Sequence, residues 1–302
     1  MTQVLALPLQ LPVHAMRYRE FFTHGTLLDL LLDGNPYKQA QTYALIRRAF
    51  NYEAHYVNYG YWPNGLDTHE PGRELALLMG RALELRPGEA LVDCGAGLGQ
   101  AAVDLALHHD LRSVDGLNVC APQVRFANAL AREAGLEGRV RHHLADAVAK
   151  VGTFADGSVE NIMALECITH FPDHRAFIQN AFDALPSGGR LAFAVATANK
   201  SQSGWQRAIL QFVMSVQQQP ASYWSGLLRD AGFVLTLHED ITTDVVTPCA
   251  EYVRSGFADD PEFLDDLANW PERMAIEYLI RAGERGVENG TMGYELFVGR
   301  KP

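Results

Sequence analysis

The sequence predicts an α/β fold, a doubly wound sheet with helices on both faces, and three observations predict it. From about residue 88, short apolar runs alternate with amphipathic stretches, the pattern of a parallel sheet flanked by helices. The first run, at 90–93, feeds a turn with glycine at 95, 97 and 99, and glycine admits positive φ and the close approach of another molecule. The 302 residues are 48% hydrophobic and 10% aromatic, enough for a sizeable buried core.

Residues 1–75 read as an N-terminal helical cover, helical at 36–50 and rich in tyrosine; residues 76–302 carry the sheet. Strands are expected at 90–93, 112–117, 140–144, 161–166 and 191–196, with helices between them. The helix at 122–133 begins at Pro122, sets Val124, Ala127 and Ala131 on one face and stops at Gly135. The next carries Phe177, Ile178, Ala181, Phe182 and Leu185 and ends at the turn "PSGGR". A third, at 223–230, has Trp224, Leu227, Leu228 and Ala231 at i, i+3, i+4 and i+7. Two more strands, 233–239 and 294–300, are separated by a mostly helical insertion, 241–290, expected to cap one end of the sheet. With no repeat and no flexible linker in view, the chain reads as one compact unit.

Thirty-six acidic residues against 25 basic ones leave a formal charge of -11, which repels phosphate backbones and anionic lipid. Neither nucleic acid nor a membrane surface is expected as a partner. Cys94, Cys120, Cys167 and Cys249 are far apart and form no CxxC pair, so a cytoplasmic, reducing setting fits, with no metal. Cys94 and Cys167 read as small apolar fillers. The opening "MTQVLALPLQLPVHAM" lacks a basic start and is broken by Pro8 and Pro12, against a signal peptide. The acidic run at 257–272 has no ligand spacing and reads as a solvated face.

Ligands of such sheets bind at the carboxyl ends of the strands, and the first strand-to-helix turn is the usual contact. That turn here is "LVDCGAGLGQ", residues 91–100. A dinucleotide fingerprint would need glycine at 100, where Gln100 stands, and no Lys or Arg in the loop meets a pyrophosphate. No Gly-Lys-Ser/Thr follows, which excludes a P-loop. Asp93, two residues ahead of Gly95, suits a ligand with a positive amino group better than one with phosphates.

"VDCGAGLG" resembles the first motif of the class I S-adenosylmethionine-dependent methyltransferases: hydrophobic strand, acid, x, Gly, x, Gly, x, Gly. In "RSVDGLNVCAPQV" the acid Asp115 is misplaced for ribose contact, and Asn118, two residues after Gly116, falls at the family's position, with Gln123 five residues on. This resembles the small-molecule subgroup that contains cyclopropane synthases and the sugar and polyketide methyltransferases. "ALECITHFPDHRAF", 164–177, aligns Glu166, His170, Phe171 and Asp173 with the subgroup's loop beside the transferring methyl.

The resemblance implies a Rossmann-like seven-stranded sheet with its last strand antiparallel, S-adenosylmethionine as cofactor and S-adenosylhomocysteine as product. Its implied cofactor residues are Tyr61, Asp93, Gly95, Ala96, Gly97, Asn118, Gln123, Asp146, Ala147 and Glu166. Asn118 and Gln123 would meet the ribose, or cap a helix; Asp146 and Ala147 would meet adenine, with a helix N-cap as the competing role of the acid. Tyr61 comes from "NYGYW", similar to the hinge of a family lid; Tyr59 belongs to the same hinge, while Trp62 reads as packing. His170 is the implied base, since an imidazole titrates near about 6.5, or else a loop histidine bonded to backbone. Glu166, also implied at the reacting end, orients cofactor or substrate, or caps the next turn. The expected activity is methyl transfer to a small molecule of specialised metabolism. Rival expectations are a cofactor-binding enzyme that does not methylate (a cyclase, pericyclase or decarboxylase) and a nicotinamide oxidoreductase. The acceptor atom and a homodimeric assembly are left open.

Overall fold

Every residue from Ala90 to Cys94 is buried, which puts this run at the centre of the sheet. The computed structural model describes residues 55–155, 157–198, 218–259, 281 and 284–302; the helix expected at 36–50, most of the N-terminal cover and most of the acidic run fall outside them. The strands are β1 (Ala90–Cys94), β2 (Ser113–Asn118), β3 (Val140–Leu144), β4 (Asn161–Leu165), β5 (Arg190–Ala198), β6 (Val234–Asp240) and β7 (Met292–Arg300). They form one sheet in the order β3-β2-β1-β4-β5-β7-β6, with β7 antiparallel to both neighbours. The helices are α1 (Pro71–Ala82), α2 (Gln100–His108), α3 (Ala121–Glu133), α4 (Ala147–Val151), α5 (His174–Ala184), α6 (Ala221–Asp230) and α7 (Thr242–Asp259). None among the described residues is long and apolar enough to cross a membrane.

Side chains alternate across a strand, and the two faces carry separate cores. Leu91 joins Leu75 and Met79 of α1, Leu105 of α2, Leu130 of α3 and Val245 of α7. Val92 and Cys94 join Val151 of α4, Phe177 of α5 and Trp224 of α6. Two-sided burial explains why β1, β4 and β5 read as nearly continuous apolar runs rather than alternating ones.

The expected strand at 140–144 matches β3, and the others shift by one or two residues at their ends. Strand β5 outlasts its expected end because Thr197 and Ala198 pair with Gly293 and Met292, which also starts β7 earlier than residue 294. Helix α1 is not singled out by the sequence pattern and runs across residue 75, where the cover was divided from the sheet; Pro71 sits at its start. The chain leaves β1 toward β2 and β3, then returns to pair β4 on β1's other side. The carboxyl ends of β1 and β4 therefore flank the switch point, where open α/β sheets bind ligands.

Candidate active site

At that switch point the three glycines do different things. A side chain at Gly95 (φ 71°) would meet Cys167 Sγ at 2.7 Å, so Gly95 lets the chain's own turn after β4 lie against the loop. Gly99 (φ 84°) makes room for Ala127 and His142 Nε2, at 2.6 and 2.8 Å from an added Cβ. His142 also fills the space beside Gly116, and burial pulls its imidazole down to about 4, a neutral packing ring. Only Gly97 (φ 54°) among the three faces open space, its nearest neighbour being the Gly95 carbonyl at 4.0 Å.

The loop's shape is fixed from β2. Gly95 and Ala96 N–H both donate to the Leu117 carbonyl (2.8 and 3.0 Å). Asn118 Nδ2 donates to the Gly97 carbonyl (3.0 Å) and to Gln123 Oε1 (2.8 Å), while its Oδ1 accepts from Cys120 N–H (3.0 Å). The structure thus brings together Gly97, Asn118 and Gln123. Asp115 instead bonds His143 Nε2 at 2.7 Å. Asp146 Oδ1 accepts from Ala149 N–H (3.0 Å) as the N-cap of α4, and Ala147 is buried at that helix start.

Asp93 is 2% exposed, and its Oδ2 has no partner among the described residues. Burial pushes its carboxyl up to about 8, because a carboxylate loses its hydration there with nothing to replace it.

Across the crevice, Glu166 leaves β4 at φ 57°, a left-handed conformation that costs a non-glycine residue about 1–2 kcal/mol. Its N–H donates to the Ala194 carbonyl (3.0 Å). Its Oε1 accepts from Tyr59 N–H (2.9 Å) and from the Tyr294 hydroxyl (2.7 Å). Burial lifts the carboxyl to about 7 against the pull of those two donors. His170 is half-buried on the 3-10 turn Ile168–His170, its N–H donating to the Cys167 carbonyl (3.0 Å). Asp173 closes that segment by capping α5.

The aromatic string is fastened at several points: Tyr61 N–H to the Pro71 carbonyl (2.9 Å), Trp62 N–H to the Asp244 carbonyl (2.8 Å), and Tyr56 hydroxyl to Asp104. Trp62 is 2% exposed and packs on Tyr252, the packing role expected of it. Burial raises the Tyr61 hydroxyl, helped by Asp244 and Glu239 at the β6–α7 corner, and it is the Tyr59 N–H that reaches Glu166. Tyr294 escaped the sequence reading, and Cys167 was read only as a small apolar filler. A tyrosine at a strand start, whose hydroxyl needs a partner when buried, was the one available signal for Tyr294.

A family model described as a methyltransferase domain matches residues 92–193, from β1 into β5. Over 204 residues the chain is 31% identical to the O-methyltransferase resE of Aspergillus sclerotiorum, a match covering 65% of this chain and 75% of that protein. The chain belongs to the class I S-adenosylmethionine-dependent methyltransferases. It is 28% identical to the 27-O-demethylrifamycin SV methyltransferase of Amycolatopsis mediterranei, over 82% of this chain and 90% of that one. It is also 33% identical to the methyltransferase GfsG of Streptomyces halstedii, a match covering 57% of this chain and 61% of that one. Among solved structures, the geranyl diphosphate C-methyltransferase of Streptomyces coelicolor shares the fold at 19% identity and TM-score 0.67, covering 86% of this chain and 98% of its own. So does the cyclase SpnF, at 22% identity and TM-score 0.69, covering 89% and 97%. The fold of this methyltransferase is thus one that carries other chemistry as well.

The residues present fit the family's cofactor. An enclosed carboxylate oxygen without a partner calls for a cation, and the open backbone at Gly97 calls for something seated against it.

Proposed function

We propose that this methyltransferase acts on a hydroxyl of a small organic acceptor in specialised metabolism. The observation that carries the reading is the pairing of the unpartnered Asp93 oxygen with the open Gly97 backbone at the switch point. The fungal relative named an O-methyltransferase and the bacterial one named for 27-O-demethylrifamycin SV support the acceptor class.

In this reading Asp93 takes the cofactor's ammonium, and Gly95, Ala96 and Gly97 form the floor under its methionine part. Asn118 and Gln123 meet the ribose hydroxyls, which their amides can do without charge. Asp146, with the oxygen not used in capping, and Ala147 hold the adenine. Tyr61, the residues ahead of α1 and the 241–290 insertion contribute to the cover. When bound, S-adenosylmethionine supplies an electrophilic methyl and leaves as S-adenosylhomocysteine. His170 receives the proton that the acceptor hydroxyl gives up, and the turn that carries it fixes the direction from which the acceptor approaches.

Purified protein incubated with S-adenosylmethionine and a panel of hydroxylated polyketides is expected to release S-adenosylhomocysteine and a product heavier by one methylene. Turnover of an acceptor without release of S-adenosylhomocysteine would move the protein to the non-methylating enzymes. Stabilisation by NAD alone would move it to the oxidoreductases.

Asp93 gives a pH prediction with a definite sign. In the free protein its carboxyl is raised to about 8, so the folded state holds a proton between about pH 4 and 8 that the unfolded chain has released. Asp93 therefore makes the free protein less stable as pH rises through that window. Binding an ammonium favours the ionised carboxylate and expels the proton. Affinity for S-adenosylhomocysteine should rise from pH 6 to 8, by at most about tenfold per pH unit for one proton. Calorimetry in two buffers of different ionisation enthalpy counts that proton, and Asp93→Asn should bind weakly and flatten the pH dependence.

A further inference from the structure

We propose that Tyr294 is a positioning residue for methyl transfer, acting through the Glu166 carboxylate to hold Tyr59 over the acceptor side of the crevice. This deepens the reading given above and rests on it.

Three elements distant in sequence meet at one oxygen. Glu166 comes from the end of β4, Tyr294 from the start of β7 and Tyr59 from the string ahead of α1. The Tyr294 hydroxyl and the Tyr59 N–H donate to the same Oε1, at 2.7 and 2.9 Å. The Tyr59 ring meets the Tyr294 ring edge-on at 5.9 Å between centroids. The site is rigid on the sheet side. Tyr294 is fully buried; its N–H donates to Thr242 Oγ1 (2.8 Å), and its carbonyl accepts from Ile241 N–H (2.9 Å).

Glu166 holds a left-handed backbone in order to be there. Strain of this kind persists only where the surroundings over-determine it, and it concentrates at functional sites. The next residue, Cys167, lies against Gly95 of the glycine loop, and His170 follows three residues later. One short segment therefore contacts the cofactor loop, carries the imidazole and grips the aromatic string. Beyond Tyr59 the string continues to Tyr61 on α1 and Trp62 on α7, so the sheet-borne carboxylate fixes its approach to the reacting end. A hydroxyl that only filled space at Tyr294 would not need a carboxylate; one that shares an acceptor with a backbone N–H sets where that backbone lies.

The test compares Tyr294→Phe, Glu166→Ala, Glu166→Gln and the Tyr294→Phe/Glu166→Ala pair in the full chain. Wild-type release of S-adenosylhomocysteine checks the underlying reading separately. Tyr294→Phe is expected to lower kcat about tenfold to thirtyfold while the Kd for S-adenosylhomocysteine stays within about threefold. Glu166→Ala should lower kcat further, and Glu166→Gln, whose amide oxygen can accept both bonds, should recover at least tenfold of that loss. The double variant should be no worse than Glu166→Ala, because both changes break one linkage. Independently of turnover, hydrogen exchange at the Tyr59 amide in the S-adenosylhomocysteine complex should quicken in Tyr294→Phe and Glu166→Ala and return toward the wild-type rate in Glu166→Gln. Wild-type kcat and exchange in Tyr294→Phe, additive losses in the pair, or a Gln variant as impaired as Ala in both measurements would overturn the proposal.

Discussion

Gly95→Ala should yield a protein that folds but binds S-adenosylhomocysteine about a hundredfold more weakly. The backbone at Gly95 stands at φ 71°, where an alanine costs about 1–2 kcal/mol. Its methyl would also overlap Cys167, whose Sγ lies 2.7 Å from the added Cβ. Cys167 cannot simply step aside, since its thiol donates to the Cys94 carbonyl at 2.8 Å and its backbone starts the turn that carries His170. Overpacking in a dense site costs a further 1–3 kcal/mol or so. The loop relieves this by moving, and in the proposed reading the loop is the cofactor's floor. Calorimetry should show the weakened binding with a thermal midpoint lowered by several degrees. Gly95→Ala with Cys167→Gly, which removes the overlap but keeps the φ penalty, should recover part of the affinity. Unaltered affinity in the single variant would mean that the loop after Asp93 is not where the ligand sits.

His170→Ala should depress kcat by about two to four orders of magnitude while the Kd for S-adenosylhomocysteine changes by less than about twofold. Several of the bonds that hold the turn are backbone and capping bonds, which the substitution leaves in place. The His170 N–H donates to the Cys167 carbonyl, and the Phe171 N–H donates to the Ile168 carbonyl (3.1 Å). Phe171 packs edge-on against Phe177 with 4.7 Å between centroids, and Asp173 caps α5 through the Ala176 N–H (2.9 Å). A variant near the wild-type rate on an acceptor hydroxyl would take His170 out of proton transfer.

What the sequence disclosed follows from which signals are local. Strands β1 and β4 were legible because burial on both faces makes each a nearly unbroken apolar run, as at Ala90–Cys94 and Asn161–Leu165. The glycine loop was legible as a ligand turn. Its division of labour was not, because Gly95 and Gly99 answer to Cys167 and His142, which come from later strands. Asn118 reaches the loop and Asp115 is taken up by His143, contacts that no local pattern announces. The Glu166–Tyr294 bond spans 128 residues and depends on β7 entering antiparallel beside β5, which no local periodicity encodes. Helix α1 was missed for a related reason. Its buried face, Leu75, Ala76, Leu77 and Met79, is continuous with Gly72 and Gly80, and glycines in a periodic stretch read as breaks.

The claim on which the rest depends is that the crevice between the ends of β1 and β4 seats the cofactor, cation toward Asp93. A crystal structure of the complex with S-adenosylhomocysteine tests it most directly. The account predicts density for the ligand lying against Gly97, its ammonium bonded to Asp93 and its sulfur facing the side of the crevice bounded by Glu166 and His170. A ligand bound elsewhere on the chain, or a vacant crevice in crystals of protein that methylates in solution, would contradict it.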